Sequence, residues 1–554
     1  MIASAVVSRG GNQYLTVNGQ LSESLAYITY LPENGKYEDF AAAGYKLYSV
    51  CAYFGSNKLN ELSGLDLFYK GIFDEDVPDF SDFDAHIGRV LAACPDGLIF
   101  PRVNVSLSRI WDETHPEELC FEGIVTHPDR KRPCYASDIW AQEVKRQLAL
   151  FIAHVENAPY RDHIIGYQIA GGNTEEWFSY NDKGGDGKRA REKFAASGET
   201  ETPERYWRYL SELTADRICE FAGYIKELTD RRLVVGTFYG YTLEKYNRGG
   251  SHHGLGRMLR CPDVDFICSP ISYSQVRAAG RDHPYMLPLH SLKYHGKLYF
   301  SENDTRTHLS RAVNDNPHYN KPIWFGPDRD ATLNILKMHL ARSLINGHAA
   351  WWFDMWGGWF ADEAYMAFMK KARSLQQNAW EKPAQSVTEV AVLCDETAPA
   401  GLDDKDKGLR NVFFDIREAL GKAAVPYHIY LTSDFEAIKN RYKAFVLLEP
   451  RQTADSVYIR DSVKNLLTIT PENSDITTDQ LRVFYKNCGV WVYSETDMVV
   501  YADSRYVFLH TATEGEQHLR LPEQTVLADV FQNKIFDTDF VSPVGKSFLL
   551  EKSQ

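Results

Sequence analysis

The stretch Ile164-Ile165-Gly166-Tyr167-Gln168-Ile169-Ala170-Gly171-Gly172-Asn173-Thr174-Glu175-Glu176-Trp177-Phe178 decides the reading of this chain. A largely apolar run breaks off at two glycines and opens into a polar turn with adjacent acids. Such a run suits a strand buried on both faces, and the glycines let the backbone turn tightly where it ends. The pattern recurs along the chain. Comparable runs stand at Ala26–Tyr30, Lys46–Cys51, Leu98–Val105, Leu233–Phe238, Val264–Cys268, Lys297–Ser301 and Ala349–Phe353.

Amphipathic stretches separate the runs. The clearest helix opens at Ser137 as N-cap and puts Trp140, Val144, Leu148, Phe151, Ile152 and Val155 on one face. Another spans Asp330–Asn346 and ends before Gly347, a good C-cap. Eight strand–helix alternations predict a closed (β/α)8 barrel of the α/β class, with a doubly wound open sheet as the alternative. Ahead of the barrel, Asn18-Gly19 marks a type I′ hairpin turn after Gln13–Val17.

A linker at Glu381–Gln385 closes the barrel region, expected over residues 1–382. A second α/β pattern follows. It has strands at Val387–Leu393, Tyr427–Leu431 and Ala444–Leu448 and a helix at Gly408–Ala424. This predicts a smaller flavodoxin-like unit over 386–475. Beyond it, short strands at Gly489–Tyr493, Met498–Tyr501 and Tyr506–His510 suggest a small β-sandwich over 479–554.

Bulk properties narrow the function. The 554 residues are ordinarily globular, with 44% hydrophobic and 25% charged residues. A net charge of −14 disfavours nucleic acid as a partner, since phosphate binding needs clustered cations. Nine cysteines without a CxxC pair give neither a disulfide framework nor zinc-ribbon spacing, and suit reduced thiols in a cytoplasmic protein. The first residues lack the basic start and apolar core of an export signal, and no run is long enough to span a membrane. No HExxH or G-x-S-x-G pattern occurs, and Gly545-Lys546-Ser547 fails as a phosphate loop because Phe540 stands where the first glycine belongs. No metal or cofactor is expected.

Chemistry in such a barrel sits at the C-terminal ends of the strands. Run four ends toward Glu175 and Glu176. Run seven, Lys297-Leu298-Tyr299-Phe300-Ser301, ends at Glu302, with Asp304 and Arg306 close behind. Against a plain ion pair of Glu302 or Asp304 with Arg306 stands the pairing itself. Two carboxylates across a barrel mouth are what double-displacement cleavage of a glycosidic bond requires, one as nucleophile and one as acid/base. Run eight leads into Trp351-Trp352-Phe353-Asp354-Met355-Trp356. Flat aromatic faces suit sugar rings, and Trp352, Trp356 and Asp354 are the expected contacts, with Trp352 facing the pocket. Arg102 inside run three needs a carboxylate partner, and Tyr273 after run six supplies a phenol able to reach the nucleophile.

At these residues the chain resembles the retaining (β/α)8 glycosidases with glutamates on strands four and seven. In its order of units it is most similar to glycoside hydrolase family 42, the β-galactosidase family. That resemblance implies a retaining exo-β-glycosidase with Glu176 as acid/base and Glu302 as nucleophile, and a homo-oligomer, a trimer, joined through the flavodoxin-like unit. Where the family reads Asn-Glu-Tyr-Gly, this chain has Glu175-Glu176-Trp177-Phe178, with Asn173 nearby. Asn173, Glu175 and Trp177 are therefore expected at the sugar. The family's zinc-binding cysteine cluster is not evident. Two other readings stay open: a catalytically inactive carbohydrate-binding or assembly protein on the same barrel, and a transglycosidase.

Overall fold

The computed structural model describes residues 1–56, 70–121, 131–172, 175–178, 187–244, 252–273, 277–310, 326–403 and 407–553. Its centre is a closed barrel of eight parallel strands, each hydrogen-bonded to the next in sequence order. In chain order these are Leu25–Ile28, Leu47–Tyr53, Leu98–Asn104, Gly166–Ala170, Val234–Phe238, Phe266–Pro270, Leu298–Asn303 and Ala349–Phe353. Each falls on one of the eight apolar runs.

The alternation of each strand sends one set of side chains inward and the other toward the helices. Phe100, Phe238, Phe266, Phe300 and Trp351 meet inside as an aromatic floor. The Phe266 and Phe300 centroids lie 5.2 Å apart, and Phe300 stacks on Trp351 at 5.7 Å. Gly236 makes room for this layer, because a Cβ there would stand 2.1 Å from the Phe266 ring. The helices Asp138–Asn157, Pro203–Leu228, Arg329–Asn346 and Glu363–Glu381 belong to the outer layer. Ser137 caps the first by accepting from the Trp140 N–H at 3.0 Å, and Gly347 ends the third in the left-handed region. The hairpin also forms as read, with Asn18 and Gly19 both at positive φ between Asn12–Val17 and Gln20–Leu21. A further strand, Ser4–Arg9, pairs along it.

After the barrel, four parallel strands stand in the order Tyr427–Leu431, Val390–Cys394, Ala444–Leu448, Leu466–Ile469. That is the 2-1-3-4 order of a flavodoxin-like sheet. The expected helix over 408–424 carries a π-helical stretch at Arg410–Asp415 before Ile416–Lys422. Five strands then form an antiparallel sheet, and Gly515–His518 pairs with Asp539–Ser542 as a separate ribbon.

Gly489–Tyr493 is not a strand. Its alternating burial mimics one, but the Trp491 N–H goes to the Glu389 carboxylate and the Tyr493 N–H to the Ala424 carbonyl, so no ladder runs along it. The residues before it form the helix Thr478–Asn487, opened by a capping box between Thr477 and Gln480 and packed against Ile416–Lys422. Among the described residues no helix is long and apolar enough to cross a membrane.

Candidate active site

Arg102 organises the mouth of the barrel. It points inward from strand three, above the aromatic floor, with its guanidinium carbon 4.8 Å from the Phe238 centroid and 5.3 Å from that of Trp351. Only 1% of the residue is exposed. A cation buried among rings needs compensating acceptors. Nη2 donates to Glu302 Oε2 at 3.1 Å, Nη1 to Glu175 Oε2 at 3.2 Å and Nε to Gln168 Oε1 at 3.3 Å. The Tyr30 phenol also donates to Glu175 Oε2, at 3.0 Å.

Glu302 is the penultimate residue of strand seven, in register with Pro270 on strand six and Trp351 on strand eight. Its Oε2 accepts a second hydrogen bond from the Trp351 indole N–H at 3.0 Å. Burial pushes the Glu302 carboxyl up to about 8. Arg102 opposes that shift, Asp304 and Glu176 add to it, and the indole N–H opposes it again. Asp304 pairs with Arg277 at 2.8 Å.

Glu176 sits past the end of strand four, bridged to Gly171, and accepts a hydrogen bond from Tyr241. Burial, reinforced by Glu176, holds the Tyr241 phenol far above its usual range, so it stays neutral and donates. Tyr273 belongs to the same cluster. Its ring packs with Phe178, Tyr241 and Met286, under the guanidinium of Arg277 at 4.5 Å. After burial, the largest influence on its phenol is the charge of Glu176, with Asp304 and Glu302 adding to it. The mouth thus brings Glu302, Glu176, Glu175, Arg102 and Tyr273 together. Trp356 is buried beside Tyr30, with the ring centroids 6.3 Å apart.

Several expected contacts lie elsewhere. Strand geometry does not continue through 175–177, so the two glutamates do not take opposite faces. Glu175 (φ 67°) and Trp177 (φ 60°) both adopt the left-handed region, and both glutamates turn to the mouth. The same turn folds Trp177 backward. Its N–H donates to the Gly171 carbonyl at 2.8 Å and its indole N–H to the Ile169 carbonyl at 3.3 Å. The ring is fully buried between Tyr135 and Phe221, away from the mouth. Trp352 also faces outward, donating to the Tyr45 phenol at 2.9 Å and packing on Phe360 and Phe368, so Trp351 is the inward ring. Asp354 is structural. It accepts from Tyr27 at 2.7 Å and from the N–H groups of Gly358 and Trp359, pinning the turn that follows strand eight. Asn173 lies outside the described residues.

Sequence reasoning missed Tyr30, Gln168, Tyr241 and Trp351. Gln168 did carry a signal, as a lone amide inside an apolar run.

No family model matches this sequence, and no curated protein does. Solved structures do resemble it. The chain superposes on a β-galactosidase from the psychrophilic Marinomonas ef1 with a TM-score of 0.61 and 12% identity, over 96% of this chain and 100% of the other. Against Gan42B, a GH42 β-galactosidase of G. stearothermophilus, the TM-score is 0.62 at 11% identity, with 100% of both chains covered. An α-L-fucosidase isoenzyme 2 from Paenibacillus thiaminolyticus gives 0.59 at 12%, over 96% and 99%. At such identities the likeness is one of fold, and it extends through all three parts of the chain.

Proposed function

We propose that this chain is a retaining exo-β-glycosidase, similar to β-galactosidases, that removes terminal sugars by double displacement. The observation that carries this reading is the pair of differently held carboxylates at one barrel mouth. Glu302 Oε2 is fixed by Arg102 and the Trp351 N–H, while Glu176 is held by a neutral phenol. In this reading Glu302 attacks the anomeric carbon. Its Oε2 is committed to two donors, so Oε1 is the oxygen that forms the glycosyl bond. As that bond forms, Glu176 gives its proton to the departing oxygen, and it then takes a proton from the water that releases the sugar. Glu175 balances Arg102 and leaves Glu302 free of a full ion pair of its own.

The fold neighbours, β-galactosidases among them, support a carbohydrate substrate. The same reading divides the chain into a catalytic barrel (1–382), a flavodoxin-like unit that carries the subunit interface, and a small β unit. The middle unit is extended past 475 to take in the helix Thr478–Asn487. The test is a panel of nitrophenyl β-glycosides differing in the sugar. Release of nitrophenol from at least one, with the β-anomer of the free sugar appearing first by NMR, is expected. No release from any, or first appearance of the α-anomer, refutes the proposal.

A further inference from the structure

We infer that Arg417, outside the barrel on the helix Ile416–Lys422 of the flavodoxin-like unit, is a positioning residue for Tyr273 at the mouth. This rests on the proposed function for its kinetic consequences, but not for its geometry.

Arg417 is 1% exposed and crosses into the barrel loops. Its Nη1 donates to the Tyr285 carbonyl at 2.7 Å, and its Nη2 to Glu244 Oε2 at 2.9 Å and to Ser272 Oγ at 3.2 Å. Glu244 follows strand five and is itself buried. Among the described residues, Arg417 is its ion-pair partner. The two oxygens of Glu244 then grip the segment after strand six. Oε2 accepts from Ser272 Oγ at 2.6 Å and Oε1 accepts the backbone N–H of Tyr273 at 3.0 Å.

The same segment is fixed from its other sides. The Ser272 N–H donates to the Pro284 carbonyl at 3.0 Å, and Arg277 Nε donates to the Ser272 carbonyl at 2.8 Å. Arg277 also covers the Tyr273 ring and pairs with Asp304. Of these supports, the grip on the Tyr273 amide is the one that depends on a residue outside the barrel. A path of direct contacts therefore runs Arg417, Glu244, Tyr273 amide, and the Tyr273 ring lies among Tyr241, Glu176 and Glu302.

The chemistry explains why arginine stands there. A planar guanidinium directs two nitrogens at acceptors on two loops at once, which a lysine ammonium does not reproduce. Without it, Glu244 keeps a buried charge that has no cation against it among the described residues, and a carboxylate in that state turns toward water or takes a proton. Either response releases the Tyr273 amide. The flavodoxin-like unit thus acts on the site through one side chain, without touching the sugar.

The experiment combines kinetics with amide exchange in the full-length protein. Arg417→Met should lower kcat/KM on the best nitrophenyl glycoside by about tenfold to a hundredfold, the range of coupling between contacting residues. Arg417→Lys should recover part of that loss, and added guanidinium should partly rescue Arg417→Met. Combined with Tyr273→Phe, the loss should be no larger than that of the worse single variant. The Tyr273 amide should exchange faster in Arg417→Met, while barrel-strand amides keep their protection. Losses that multiply in the double variant, or wild-type exchange at Tyr273, would overturn the inference. If Arg417→Met does not fold, Glu244→Gln, of the same shape, gives the same exchange and kinetic readouts. If the wild type cleaves no glycoside, the proposed function fails and the exchange result alone decides the positioning role.

Discussion

Arg102→Met tests the electrostatics of the mouth most directly. Its guanidinium nitrogen is 3.1 Å from Glu302 Oε2 and both groups are almost fully buried, so solvent screening is small. With charge centres roughly 4 Å apart and an effective dielectric near 20, the pair is worth about 4 kcal/mol at most. Glu175 shares the same cation, which lowers the portion felt by Glu302. Removing Arg102 should therefore raise the Glu302 carboxyl by about one to three pH units, the usual effect of a neighbouring opposite charge. Burial already holds it up to about 8, so the shift goes further into the alkaline range.

The assay is kcat/KM against pH on a dinitrophenyl glycoside. Its leaving group needs no proton, so the acidic limb should report ionisation of Glu302, the proposed nucleophile, in the free enzyme. That limb should move up, with activity at neutral pH falling about tenfold to a thousandfold, since each unit is worth about a factor of ten. Activity should recover toward alkaline pH. The variant should also lose about 3–5 kcal/mol of stability, because two buried carboxylates lose their shared cation. Melting curves must therefore confirm a folded protein at each pH. A folded variant whose limb does not move would refute the view that Arg102 sets the ionisation of Glu302.

Four further outcomes are expected. Glu302→Gln should abolish turnover yet gain stability relative to wild type as pH rises. A carboxyl raised from about 4.5 to about 8 stabilises the fold fully below the lower value and loses that contribution on the way to the higher one, so the difference in Tm should widen across that window. Glu176→Ala should fail on alkyl glycosides, keep much of its first step on a dinitrophenyl glycoside and respond to azide, whereas Glu175→Ala should depress both substrates alike. Azide rescue in the Glu175 variant instead would exchange their roles. Trp351→Phe should cost about tenfold to a hundredfold in kcat/KM through the lost hydrogen bond to a charged oxygen, while Trp352→Phe should show its effect in Tm. Light scattering should give a mass of three chains, and a single-chain mass at micromolar concentration would contradict the association drawn from the family resemblance.

The barrel was legible because burial on both faces leaves an unmistakable mark, a short apolar run, and eight of them alternate with amphipathic stretches. The same property hid parts of the site. In a strand with apolar residues on both sides, alternation separates Trp351 from Trp352 but does not say which side is inward; that depends on the register with strand seven, which sets Trp351 beside Glu302. Alternation failed outright at 175–177, where two left-handed residues replace the pleat. Tyr30 and Tyr241 were invisible for another reason. An aromatic phenol within an apolar run, as at Tyr30, or just beyond one, as at Tyr241, reads as core until its hydroxyl is seen to have a carboxylate in reach. Arg417 lies more than a hundred residues from the loops it holds, and no local pattern encodes such a contact.

The turn after strand four also sets the terms on which this protein can be made hardier. Left-handed backbone at Glu175 and Trp177 costs of order 1–3 kcal/mol each, and neither residue type favours it. Asparagine and glycine do tolerate it. Either residue at position 175 would relax the backbone by that amount, but removing one partner of a buried ion pair costs about 3–5 kcal/mol, so a selection for heat tolerance alone would keep the glutamate. A variant at 175 would also strip Arg102 of half its counter-charge, leaving the guanidinium to pull on Glu302 alone. Robustness and the ionisation of Glu302 are thus coupled through one residue, and a lineage that preserves the first also preserves the second.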